Sequence, residues 1–118
     1  MTADHRTALL CDDDAQVRGV EARLAADAGY EVIGEADNAL DAIQLARILR
    51  PDVIVLDLSM AGMNGVEALP ELRQILPACR IVVCTAFDVF REQVEQAGAA
   101  AMIDKSCLGD LSGVLAAL

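Results

Sequence analysis

The sequence predicts an α/β fold: a five-stranded parallel sheet in the order 2-1-3-4-5, with helices on both faces, of flavodoxin-like type. Three observations carry this expectation. Short apolar runs alternate with helical segments along the whole chain, a pattern that calls for parallel strands joined by right-handed crossovers. Three runs, "TALLC", "VIVLD" and "RIVVCT", are apolar almost throughout, as strands covered on both faces must be. Two others, "EVIGEA" and "AAAMID", are weaker, which places them at the edges.

The elements follow in order. Residues 1–6 read as a short tail, with His5 a solvated residue that has no partner nearby in sequence. Thr7–Cys11 is the first strand, followed at once by Asp12, Asp13 and Asp14. Asp14 is a good N-cap for a helix from about Ala15 to Ala28, with Gly29 closing it. Val17, Val20 and Leu24 form its apolar stripe, and Arg18, Glu21 and Arg23 are expected largely on other faces. Glu31–Ala36 is the second strand. Asn38 caps a helix to about Leu49, which Pro51 stops.

Val53–Asp57 is the third strand, and a loop follows over residues 58–64. A helical segment runs from Gly65 to Leu76. Pro70 is expected in its first turn or at a kink, because an interior proline costs about 3 kcal/mol. Arg80–Thr85 is the fourth strand. Asp88 caps a short helix through Gln96, ended near Gly98, and residues 99–104 give the fifth strand. Leu111, Val114, Leu115 and Leu118, spaced i, i+3, i+4 and i+7, mark an amphipathic last helix.

Composition narrows the function. The 118 residues are read as one domain, 1–118, and 55% apolar content is enough for a core rather than disorder. Aromatics make up 3%, tryptophan is absent and the net charge is −10, which argues against direct nucleic-acid binding and against an anionic membrane. No apolar run reaches the length of a membrane span, and the start of the chain carries no signal-peptide pattern. Cys11, Cys79, Cys84 and Cys107 lack CxxC spacing and are read as buried, reduced thiols. Together these features predict a soluble, cytoplasmic protein.

In the predicted topology the ends of strands one, three, four and five converge near the switch point between strands one and three. The acidic trio, Asp57, Thr85 and Lys105 all arrive there. Lys105 is the only lysine of the chain, and a compact ammonium directly after a strand suits a phosphate or carboxylate. Several carboxylates gathered as anions need a cation, and a hard divalent ion such as Mg²⁺ accepts them while keeping room for a phosphate. Asp57 is then read as a nucleophile that attacks phosphorus to form an acyl phosphate.

The motifs "LLCDDD", "VIVLDLSMAGMNG", "VVCTA" and "DKS" occur in this order over essentially the whole chain. The set resembles the receiver domain of bacterial two-component response regulators. The resemblance implies phosphorylation of Asp57 by a sensor histidine kinase and Mg²⁺ binding. It also assigns roles: Asp13, Asp57 and the Ser59 carbonyl as direct metal ligands, and Asp12 acting through water. Thr85 and Lys105 would each meet a phosphoryl oxygen, while Asp14 keeps its capping role. Phe87 and Ser59 would flank the phosphoryl group, with Phe87 limiting water access and prolonging the acyl phosphate.

The chain departs from the family pattern at several positions. Ala61 stands where proline is frequent and Asn64 where aspartate is frequent. Ser106 stands where proline usually follows the lysine, a pairing similar to the branch with helix-turn-helix effectors. Met102 replaces the usual switch aromatic. The resemblance implies a self-modifying switch rather than an enzyme acting on other substrates. Its partner, beyond the kinase, would be an effector domain or a second copy bound through the last helix. The alternatives are a receiver-like binding module that no longer signals through phosphate and, further off, a flavodoxin-like cofactor binder or small phosphatase.

Overall fold

A computed structural model describes residues 6–60, 65–86 and 91–118, apart from the side chains of residues 65 and 66. Five parallel strands form one sheet, β1 (Arg6–Cys11), β2 (Tyr30–Ala36), β3 (Val53–Leu56), β4 (Arg80–Thr85) and β5 (Ala101–Asp104), in the order β2-β1-β3-β4-β5. The predicted fold class and strand order are therefore the observed ones. The helices are α1 (Ala15–Asp27), α2 (Ala39–Leu49), α3 (Gly65–Ile75), α4 (Arg91–Gln96) and α5 (Leu111–Ala116).

Alternation along the strands splits the core into two layers. Leu9, Ile54, Leu56, Ile81 and Val83 face α2, α3 and α4, while Leu10, Val55, Val82 and Ile103 face α1 and α5. Their complete or near-complete burial explains why the central runs read as continuously apolar. The edge strand β2 carries an irregularity where its pairing with β1 shifts between Ala8 and Leu9. Gly34 sits beside that shift. A Cβ there would lie 2.7 Å from Leu49 Cδ1, so the missing side chain lets α2 pack down on the edge.

The caps agree with the sequence. The Asp14 side chain accepts from the Gln16 and Val17 amides, and Asn38 accepts from the Asp41 amide. Gly29, with φ of +91°, makes the left-handed turn after α1. The expected Asp88 cap lies outside the described residues.

The helices differ from the expected ones in detail. Pro70 lies past the first turn of α3, inside the helix and on its exposed side. Val20 is 48% exposed and does not belong to the buried stripe of α1. The inward face of that helix instead carries Val17, Glu21, Leu24 and Ala25, since i, i+4 and i+7 point the same way. A 3₁₀ stretch over Lys105–Asp110, which the sequence reading left unassigned, separates β5 from α5, whose Leu111 and Leu115 are buried as expected.

Tyr30 ties the far end of the molecule together. Its hydroxyl donates to the Leu115 carbonyl at 3.1 Å, and Arg6 donates to both Tyr30 Oη and the Leu118 carbonyl. No helix among the described residues is long and apolar enough to cross a membrane. Cys11, Cys79 and Cys84 are buried free thiols; Cys107, against expectation, is exposed, because the 3₁₀ stretch turns it outward. Burial pushes the Cys79 thiol up to about 11 and Cys84 up to about 12, which keeps both protonated and inert.

Candidate functional site

The carboxyl ends of β1 and β3 lie side by side at the point where the strand order reverses. The β1 ladder runs out at Cys11, whose carbonyl accepts the Asp57 amide at 2.9 Å, while the Asp12 amide donates to the Ala36 carbonyl of β2. These bonds plant Asp12 and Asp57 in neighbouring positions at the sheet edge. Their exposures are 0% and 2%, whereas Asp13, one residue on, is exposed. One carboxylate oxygen from each of Asp12, Asp13 and Asp57 falls within a group spanning 4.8 Å.

Lys105 comes in from the end of β5. Its ammonium lies 2.7 Å from Asp12 Oδ2, an ion pair without an aligned hydrogen bond, and donates to Asp57 Oδ2 at 3.1 Å. Burial works against the ammonium, yet the attraction of the Asp12 and Asp57 carboxylates prevails and holds its pKa above that of an ordinary lysine. Burial likewise raises the Asp57 carboxyl, opposed by the Ser59 amide, which donates to Asp57 Oδ1 at 3.1 Å, and by Lys105. The Asp12 charge adds to the rise. Thr85 closes β4 with an exposure of 1%, in register with Asp104, the residue before Lys105.

The sequence-predicted residues thus divide clearly. Asp12, Asp13, Asp57 and Lys105 converge, Ser59 is held against Asp57 by its amide, and Thr85 ends the strand next to β3. Phe87 lies outside the described residues. Met102 sits half-buried on β5, packed against the layer that contains Val83 and Val94.

The donor set fits magnesium. It consists of hard oxygens, with no histidine or thiolate in the group, and the Lys105 ammonium is the cation set against the buried Asp12 and Asp57 carboxylates. Three acids against one ammonium leave the cluster short of positive charge.

The family model for the response regulator receiver domain matches residues 8–114. The chain belongs to that family. This receiver domain is 40% identical over 78 residues to the chemotaxis protein CheY of Thermotoga maritima, covering 66% of the chain and 65% of that protein. It is 40% identical over 100 residues to the response regulator GacA of Pseudomonas aeruginosa, covering 82% of the chain but 47% of that protein. The receiver domain therefore spans about two thirds to a half of these relatives. A LuxR-family two-component response regulator from Aurantimonas sp. SI85-9A1 superposes with a TM-score of 0.83 at 32% identity, over 97% of this chain and 87% of that one. The isolated receiver domain of RcsB from Salmonella enterica serovar Typhimurium, solved with a phosphomimetic, has the same fold, with a TM-score of 0.89 at 21% identity over 97% of this chain and 88% of that one. Membership places the chain in two-component signalling.

One residue near the site escaped the sequence reading. Glu21, in the middle of α1, is 1% exposed, and neither carboxyl oxygen has a hydrogen bond of good geometry. The weakly donating Cys84 thiol is its polar neighbour. Burial, reinforced by the Asp12 charge and opposed by Lys105, pushes the Glu21 pKa up to about 8. Its spacing from Val17 and Ala25, four residues each way, was the available signal.

Proposed function

We propose that Asp57 accepts a phosphoryl group from the phosphohistidine of a sensor histidine kinase, and that this switches an output surface. The observation that carries the reading is the buried Asp57 carboxylate, grouped with Asp12 and Asp13 and held by Lys105 at 3.1 Å. Asp57 is the nucleophile: a bond forms between its carboxylate oxygen and phosphorus as the bond to the donor nitrogen breaks. Asp13, Asp57 and the Ser59 carbonyl would hold Mg²⁺ directly and Asp12 through water. When bound, the ion neutralises charge on the incoming phosphoryl group.

Lys105, already beside Asp57, passes its ammonium to a phosphoryl oxygen once the carboxylate has become an acyl phosphate. The Thr85 hydroxyl, at the end of β4, takes another. Drawing Thr85 inward shifts the face built from α4, β5 and α5, with Met102 as the flexible apolar residue between them. Residues 1–118 act in this reading as one cytoplasmic domain. The output partner is an effector domain or a second copy meeting the last helix. The domain catalyses only its own phosphorylation and dephosphorylation, and binds no nucleic acid directly.

The test is incubation with acetyl phosphate and Mg²⁺, read by intact mass. The wild type is expected to gain one phosphoryl group, and Asp57→Asn none. A folded wild type that neither binds Mg²⁺ nor takes up phosphate would overturn the reading and leave the phosphate-independent binding module.

A further inference from the structure

Arg18 lies on α1, yet its guanidinium turns back over the β1–α1 connection, and its side chain is 17% exposed. Nε donates to Glu35 Oε1 on β2 at 2.9 Å, and Nη1 donates to the backbone carbonyl of Asp12 at 2.5 Å. That carbonyl belongs to the peptide joining Asp12 to Asp13. The other polar groups of Asp12 are already committed. Its amide bonds the Ala36 carbonyl, Oδ1 accepts the Asp14 amide at 2.9 Å, and Oδ2 pairs with Lys105. Past the end of the ladder this carbonyl has no strand partner among the described residues, so Arg18 fixes the plane of the peptide.

The orientation of that plane decides where Asp13 points. Asp12 is buried and held by its own bonds, whereas Asp13 is exposed and joins Asp12 and Asp57 only if the intervening peptide holds its direction. We propose that Arg18 is a positioning residue for the acid pair: by clamping the 12–13 peptide it aims Asp13 at Asp57 and sets the divalent-cation affinity of the cluster without touching the cation. Glu35 completes the device. It anchors the guanidinium to β2 and neutralises it, so the clamp adds little repulsion toward an incoming cation. The inference rests on the magnesium reading above.

Calorimetric titration of the full chain with Mg²⁺ tests it. Arg18→Gln is expected to weaken binding roughly tenfold, the scale of groups that orient metal ligands from behind. Arg18→Lys should recover part of the loss, since an ammonium reaches the carbonyl but lacks the fork that also holds Glu35. Removing a positive charge would by itself tighten cation binding, so a loss has the opposite sign to a bulk charge effect. At saturating Mg²⁺ the rate of labelling by acetyl phosphate should approach that of the wild type, which makes the defect one of affinity. In metal-free protein the Asp14 amide, bonded to Asp12 Oδ1, should exchange its hydrogen faster in Arg18→Gln.

Should Arg18→Gln fail to fold, Glu35→Gln, at a half-exposed position, loosens the same clamp; since losing its charge would itself weaken cation binding, the readout there is the Asp14 amide, expected to exchange its hydrogen faster in metal-free protein, and an unchanged rate overturns the inference. A wild type that binds Mg²⁺ while the folded variant binds it equally well overturns this inference and leaves the function intact. A wild type that binds none overturns the function itself.

Discussion

Asp57 at the end of β3 and Glu21 in the middle of α1 are equally buried acids in opposite surroundings. Asp57 has a donor for each oxygen, the Ser59 amide and the Lys105 ammonium. Glu21 has no well-formed donor for either oxygen and borders a layer of Leu10, Val55 and Leu111. A buried carboxylate persists as an anion only where hydrogen bonds or cations replace its water. The strand ends supply that replacement, because their amides and the arriving lysine converge there. The inner face of a helix does not, because its amides are spent within the helix. One acid has its charge compensated; the other is pushed by burial toward its neutral form.

The sharpest way to break this contrast is to strip the compensation from the strand ends. Lys105→Met, in metal-free buffer, leaves Asp12 and Asp57 buried without their shared cation, and is expected to destabilise the domain by about 3–5 kcal/mol in urea unfolding. Mg²⁺ should restore part of that loss, since it supplies the missing charge to the same oxygens. An unchanged unfolding midpoint would mean that the ammonium does not compensate those buried acids.

The opposite change removes the uncompensated acid. Glu21→Leu is expected to stabilise the domain at pH 7 on the order of 3 kcal/mol, from the displacement of its pKa from 4.5 to about 8. Between those values the folded state holds a proton that the unfolded state has lost. Stability therefore falls as pH rises through that window, and levels off above about 8. The raised pKa of Lys105 adds a decline only at pH values above its ordinary 10.5. Urea titrations at pH 5, 7 and 9 should show Glu21→Leu gaining most over the wild type at pH 9 and least at pH 5. Glu21→Gln should flatten the same slope with a smaller gain, because its amide stays buried without partners. A gain for Glu21→Leu that is the same at all three pH values would show that Glu21 is not neutral in the fold.

A third acid calibrates the other two. Asp14 is exposed and caps α1 through the Gln16 and Val17 amides. Asp14→Ala is expected to cost about 1 kcal/mol of stability while leaving Mg²⁺ affinity within about twofold, as measured by thermal unfolding and calorimetry. A large loss of Mg²⁺ affinity instead would move Asp14 out of the capping role and into the cation site.

How much of this was legible beforehand varies with the range of the interaction. Strand identity and order followed from local composition, because a strand covered on both faces must be apolar at every position, as Ile54 and Val82 are. Asp57 and Lys105 were readable because each directly follows a strand, and parallel topology carries all such positions to one edge. Glu21 was misread because helical spacing alone does not say which of two overlapping stripes, 17-20-24 or 17-21-24, faces the sheet. The charge pattern favoured the first; packing chose the second.

From the chain alone came the fold, its strand order, the caps of α1 and α2 and the set of acids gathered around Asp57. Only the folded molecule decided that Lys105 bridges Asp12 and Asp57, that Arg18 reaches back to the Asp12 carbonyl, and that Glu21 lies inside. The first group depends on periodicity and on residues next to one another, which a sequence displays directly. The second depends on the rotation of a helix against a sheet and on side chains meeting across 6 to 93 residues, quantities that no local pattern encodes.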